Sequence, residues 1–308
     1  MPKTLSNTWT VPAASRALFI FTFLTAACCA QTATNSSWAV LDAGLGQKSI
    51  SQRLGAIRVL GLIPDDPHAV ELAQAALKDK NSSVRTAAAT SLGQMHATGA
   101  NASLKEVLND KNLSVVMAAA HALRLLNDPV CYDVYYEVYT GERKNNSGMI
   151  AQEMQIIHNP KQLAQMGFNE GIGYAPFAGI PWEALQTIMK DRKSGTVAKA
   201  TLIAALATDP EERTGKLLVT TSQNKNWVLR VAALEAIAKR GDSALLQGIE
   251  PRLSDSRREV RFAAAATVIH LDDVAKAQPA TGTKIAQAML RVSSAETQPT
   301  TAATEDTK

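Results

Sequence analysis

Aromatic side chains are scarce in this chain, 5% of 308 residues, although 46% of it is hydrophobic. A core of Ala, Leu, Ile and Val without bulky rings excludes the thick side-chain layers of a large sheet protein. Cysteine is scarcer still, with three in all, Cys28, Cys29 and Cys131, and no C-x-x-C. That excludes a thiol-based metal site or a dithiol redox pair. Charge of one sign is lacking too: the net charge is +4 and the basic residues are dispersed among acids. The pattern fits a solvated exterior and not a phosphate track. None of the five histidines, His68, His96, His121, His158 and His270, is followed by glutamate, and no HExxH, GxSxG or P-loop occurs. The glycines of "GFNEGIG" follow no strand pattern, so they fail the context that a dinucleotide-binding loop needs.

One apolar run stands at the start. Lys3 and Arg16 precede "ALFIFTFLTAACCA", Ala17–Ala30, and polar "QTATNSS" follows. This order of basic, apolar and small residues predicts a signal peptide over 1–30 and an exported protein, periplasmic or extracellular. The run is short of the ~20 residues that span a bilayer. Leu24 lies four residues before Cys28 where a lipobox has it at three, which disfavours lipid anchoring at Cys28. With the leader removed, Cys131 is left alone and is expected to pack as a small hydrophobe.

What the chain has in abundance is alanine in a recurring frame. "VRTAAATSLG" (Val84–Gly93) returns as "SQRLGAIRVLG", "SVVMAAAHALR", "VAKATLIAALA", "VLRVAALEAIA" and "EVRFAAAATVI". Anchored on Arg53, Arg85, Val116, Lys199, Arg230 and Arg261, the copies step by 32, 31, 83, 31 and 31 residues. Seven positions on stand Leu60, Leu92, Leu123, Leu206, Ile237 and Val268, all apolar, as a buried position two turns along a helix requires. Alanine favours helix because it loses no rotamer freedom, and small faces let helix axes approach toward the short end of ~8–10 Å. A second amphipathic segment precedes most copies, so each repeat reads as a helical hairpin with two helices of roughly a dozen residues. A hairpin cannot bury its apolar face alone, so the copies stack with a continuous core.

The frame Leu77, Asp79, Val84, Arg85, Ala87, Ala88, Leu92, Gly93 resembles the HEAT repeat, in its short phycobilisome-lyase-like variety and in an exported bacterial setting. The resemblance spans roughly 48 to 274 with one interruption. It implies an all-α, right-handed HEAT-like superhelix (an α-solenoid) whose arginine helices line the concave face. It also implies an Asp–Arg ladder, by match Asp79 with Arg85 and Asp255 with Arg261, joined by Arg230, which has Asn224 in place of the acid. An acid near a helix start satisfies free amides while a guanidinium bridges neighbouring turns. Asp110 precedes Val116, where the arginine is missing. The family includes enzymes, and deoxyhypusine hydroxylase holds iron with His-Glu dipeptides that this sequence lacks. A phycobilisome-lyase-like or deoxyhypusine-hydroxylase-like activity is therefore the alternative, and no cofactor, metal or catalytic residue is expected.

The 83-residue step contains an insertion. Within it "GFNEGIGYAPFAGIPWEALQTIMK" gathers glycine and proline around Tyr174, Phe177 and Trp182. Gly and Pro interrupt helix, and aromatics on a loop either bury themselves or anchor a partner. Upstream, Tyr132, Tyr136 and Tyr139 share one helix face. Five positions past the anchor, Arg58, Thr90, His121 and Glu235 form a column expected on the concave surface, with His121 exposed. The mixed charge of that column argues against nucleic acid.

The organisation read from sequence is signal peptide 1–30, linker 31–47, N-terminal repeats 48–142, insertion 143–192, C-terminal repeats 193–278 and a low-complexity, mostly disordered tail 279–308. The expected function is a non-catalytic scaffold for a protein partner, bound through Tyr174, Phe177 and Trp182 and the concave column. Peripheral membrane contact through 166–190 is the other expectation for the insertion.

Overall fold

A computed structural model describes residues 32–140 and 195–277. The leader 1–30, the insertion 143–192 with Tyr174, Phe177 and Trp182, and the tail 279–308 lie outside the described residues.

The described chain is all helix, without a strand. Helix α1 covers 32–45, followed by α2 (Ile50–Leu60), α3 (Pro67–Ala76), α4 (Ser82–Gln94), α5 (Asn101–Val107), α6 (Leu113–Leu125) and α7 (Val130–Thr140). The second group is α8 (Thr196–Leu206), α9 (Glu212–Thr221), α10 (Trp227–Arg240), α11 (Leu246–Ile249) and α12 (Arg258–Ala277). The arginine helices α4 and α10 are buried on nearly every face, including all of Ala87–Ala89 and Val228–Leu234. Alanine suits that position because both flanks meet another helix at close range. The preceding partner helices are shorter than the dozen residues expected. Helix α5 has seven residues, and the segment before α12 is a 3₁₀–α–3₁₀ chain in which Pro251 denies the helix an amide donor.

Three of the turns into these helices are capped by their own sequence. The side chains of Asn81, Asn112 and Asn226 accept hydrogen bonds from amides in the first turn of α4, α6 and α10. Asp66 does the same for α3, with Pro67 at the first helical position, where no amide is missed. Helix α10 ends on Gly241 in the left-handed conformation, and His96 and Asn127 take the same conformation after α4 and α6. A non-glycine residue there is uncommon, and Asn and His are among the types that adopt it most readily.

Two expectations need correction. Residues 31–47 are not a linker: 32–45 form α1, with Leu41 and Ser37 fully buried. Apolar spacing is weak in "TATNSSWAVLDAGL", so the segment reads as polar until its neighbours are known. The fourth repeat also departs from its register. It starts where expected, but α8 buries Ala200, Ile203 and Ala207 and leaves Leu202 65% exposed, so Lys199 and Leu206 do not occupy the anchor and core columns. Among the described residues α8 packs chiefly on α10, which orients one apolar face toward it.

The larger surprise is the order of stacking. The arginine helices pack as α8–α10–α12–α2–α4–α6, with α7 beyond α6, so the last repeat of the chain sits against the first. Phe262, Ala265, Ala266 and Ile269 of α12 join the core of the N-terminal group. Val260, Ala263, Ala264, Val268 and Leu271, on its other side, belong to the C-terminal core. The spacing of each set is that of one helix face, so α12 is apolar on two sides and serves both groups. The 141–194 connection therefore does not interrupt the middle of the array. It joins α7 and α8, which stand at opposite ends of the stacking order.

Candidate interaction surface

The turns before the arginine helices repeat one cassette, "DKN" at Asp79–Asn81 and Asp110–Asn112 and "NKN" at Asn224–Asn226. In each, the first side chain accepts from the backbone amide two residues on, at 2.8, 2.8 and 2.9 Å respectively. The arginine six residues later donates from Nη1 to the two carbonyls of the same turn. Arg85 reaches Asp79 O and Lys80 O, Arg230 reaches Asn224 O and Lys225 O, and Arg261 reaches Asp255 O and Ser256 O. Arg53 does so with Gln47 O and Lys48 O.

The rest of the guanidinium reaches forward by one repeat. Arg53 donates from Nε and Nη2 to Asp79 at 2.7 and 3.0 Å, and Arg85 likewise to Asp110 at 2.7 and 2.9 Å. Arg230 donates from Nη2 to Asp255 at 2.8 Å. This corrects the pairing taken from the resemblance. Asp79 gives Arg85 its carbonyl and gives its carboxylate to Arg53, and Asp255 divides itself in the same way between Arg261 and Arg230. The geometry follows from the cassette: the acid is fixed by its own turn's amide, and its free oxygens face the arginine of the repeat before. A second set of cross-links was not legible in the sequence. Ser91 of α4 donates to Ile57 O of α2 at 2.9 Å; from the equivalent position Thr267 of α12 lies 3.2 Å from Leu234 O of α10, its hydroxyl shared with Ala263 O of its own helix at 2.7 Å.

The column five past the anchor is half-buried at Arg58, Thr90 and Glu235. His121 is 8% exposed, which corrects its expected exposure. Helix α6 is enclosed by α4, α5 and α7, and it buries His121 with the alanines around it. Tyr132 and Tyr136 on α7 are the open aromatics, 64% and 62% exposed, while Tyr135 packs partly against the core. Cys131 on the same helix is 1% exposed, and burial raises its thiol pKa, so it packs as a small apolar residue. Among the described residues no group of three or more His, Cys, Asp or Glu is placed to hold a metal ion, and no helix is long and apolar enough to cross a membrane.

Electrostatics ties the array to pH. Burial pushes the carboxyls of Asp79 and Asp255 upward. The guanidinium bonds from Arg53 and Arg230 and the amides of Asn81 and Arg257 outweigh it and hold both below the usual range. Burial lowers His121, with Arg124 adding to it, and lowers His270 against a backbone hydrogen bond with Ala238. In all four the folded state binds its proton less readily than the unfolded state. Their stabilisation is complete above the unfolded values, ~6.5 for His and ~3.9 for Asp, and drains as pH falls through the lowered folded values. Asp273 has the opposite sign. Burial and then Asp66 raise it, so the fold gains as pH falls through its raised value. With Asp273→Asn as background, the urea midpoint is expected to fall between pH 7.5 and 5 and again below pH 4. Adding His121→Gln and His270→Gln should remove the first loss and keep the second. A midpoint level from pH 7.5 to 3 in the background protein would contradict this.

Comparison with known proteins agrees with the geometry over one part of the chain. Residues 39–129 match the family described as HEAT repeats. No curated protein matches the chain. The matched stretch holds α2 to α6 with both bidentate rungs of the ladder. By that match, residues 39–129 of this all-helical stack carry HEAT repeats.

Proposed function

We propose that the chain is a non-catalytic scaffold that binds a protein partner outside the cytoplasm. HEAT repeats commonly serve as protein-interaction scaffolds, and the observation that carries this reading is the ladder. It fixes neighbouring helices by paired, partly buried hydrogen bonds, which gives a preorganised surface that loses little order on binding. Tyr132 and Tyr136 offer amphipathic rings of the kind that anchor interfaces. Phe177, Trp182 and Tyr174 supply the remaining large aromatics of this reading, and Arg58, Thr90 and Glu235 its polar contacts. The leader pattern over 1–30 supports export, and the mixed charge of the column favours a protein surface over nucleic acid. The phycobilisome-lyase-like subtype belongs to the same proposal, as a likeness of repeat and not of chemistry.

The test is a pull-down from the native cell envelope with mass spectrometry of what is retained. A reproducible protein partner is expected, and Phe177→Ala with Trp182→Ala should cut its capture at least about tenfold with helical content unchanged. Retention of lipid alone would favour membrane contact through 166–190. Bound iron, a bilin or turnover in the purified protein would overturn the scaffold reading in favour of an enzyme.

A further inference from the structure

The contact between the last repeat and the first differs from the α2–α4, α4–α6 and α10–α12 steps, each of which has an arginine–aspartate rung. The ladder does not provide the same tie there. The position that carries Asp in the repeats of α4, α6 and α12 is Gln47 in the repeat of α2, and the Nη1 bonds of Arg261 go to its own turn. A socket takes its place. The Phe262 ring lies against Gly44 of α1 and Gly55 of α2. A Cβ at Gly44 would come within 2.7 Å of the ring and 2.9 Å of the Ala56 Cβ, and one at Gly55 within 3.2 Å of the ring. Two glycines and Ala56 thus make the space that a single phenylalanine fills to 6% exposure. Ten residues away along each helix, roughly 15 Å at ~1.5 Å per residue, Thr34 of α1 donates to Asp272 of α12 at 2.6 Å, and Lys276 meets the same carboxylate at 2.7 Å. Asp272 is 4% exposed, so its partners are needed to offset the cost of burying its charge.

We infer that this seam is a protein–protein interface in its own right: the 32–140 array and the 195–277 array recognise each other through the Phe262 socket and the Thr34–Asp272 bond. The covalent connection between them is not needed for their association. The chemistry is that of a small specific interface, an aromatic anchor in a preformed pocket with a buried, hydrogen-bonded carboxylate further along the same pair of helices. Each array keeps a core of its own, with the N-terminal cluster centred on α2, α4 and α6 and the C-terminal one on α10 and α12. Among the described residues the seam has none of the arginine–aspartate rungs that tie α2 to α4, α4 to α6 and α10 to α12.

The test uses the full chain with a protease site replacing 143–148, folded, cut to completion and passed over a sizing column at about micromolar concentration, with helical content followed by circular dichroism. The cut wild-type halves are expected to co-elute as one species. Phe262→Ala and, separately, Gly55→Val should weaken their association at least about tenfold, while Leu202→Ala on α8 leaves it unchanged. Should Phe262→Ala lose helical content before cutting, Thr34→Val is read instead, with a loss of about fivefold or more expected. Separation or unfolding of the cut wild-type halves would overturn the inference. So would a Phe262→Ala or Thr34→Val pair that associates as tightly as wild type.

Discussion

Replacing Arg85 with methionine is expected to lower the free energy of unfolding by about 3–5 kcal/mol, the cost of removing one member of a buried, hydrogen-bonded ion pair. The magnitude follows from what is left behind. The Asp110 side chain is 13% exposed and the Arg85 side chain 9%, so neither partner can turn to water. Asp110 would keep one hydrogen bond, from the Asn112 amide, and lose two charge-assisted ones. The carbonyls of Asp79 and Lys80 would lose their donor as well. Methionine keeps the apolar stem, so the loss measured is that of the guanidinium and not of packing. Arg85→Lys should recover less than half, because one ammonium cannot bridge two carboxylate oxygens and two carbonyls from a single point. Asp110→Asn should cost less than Arg85→Met, since its amide oxygen can still accept from Asn112. Urea unfolding followed by circular dichroism reads all three. A cost under about 1 kcal/mol for Arg85→Met would place the rung with exposed ion pairs and deny the ladder its structural role.

The ladder also shows where the sequence was legible. Arg85, Arg230, Arg261, Asp79 and Asp255 were visible as columns because the period holds them in register, and the apolar column from Leu60 to Val268 told which face was buried. The partner of each acid was not visible, because one carboxylate near a helix start can face its own arginine or the arginine of the repeat before. Only the fixed turn geometry of the Asp-Lys-Asn cassette decides between them. That cassette stands in plain text twice as "DKN" and once as "NKN", and its asparagine is a strong N-cap type, so the caps could have been found. The stacking order could not. Register along the chain says that repeats stack, and nothing in a 31-residue period says that the sixth copy meets the first. Phe262 was the one trace, a large ring in a column that elsewhere holds Leu54, Thr86, Met117, Ala200 and Val231. His121 misled for a related reason. Its column is half-buried at Arg58, Thr90 and Glu235, and the same position is closed over in α6, where α5 and α7 both pack.

Gly93→Val is expected to cost about 3 kcal/mol or more, and it answers why the repeated frame closes on Leu-Gly. Helix propensity alone points the other way, since glycine inside a helix is about 1 kcal/mol worse than alanine. Space decides the sign. A Cβ at Gly93 would stand 2.8 Å from the Ala122 Cα and 3.2 Å from a Leu125 methyl, and the nearer of these is backbone that cannot rotate away. Helices α4 and α6 would have to separate, which loosens Leu92 and Leu123, both fully buried. Overpacking of this kind costs about 1–3 kcal/mol for a modest excess of volume, and the two further methyls of valine enlarge that excess. Gly93→Ala should therefore fall between wild type and valine, with its gain in propensity offset by the clash. Gly99→Ala is the control: nothing lies within 4 Å of its Cβ, and a change under about 0.5 kcal/mol is expected. The consequence reaches the surface, because half-buried Thr90 is carried by α4. If the proposed partner is bound through the Thr90 column, a Gly93→Val protein that folds should capture it less well than wild type, while Gly99→Ala captures it equally. Unchanged stability in Gly93→Val would mean that α4 and α6 are not held at the close approach from which the array's rigidity was argued.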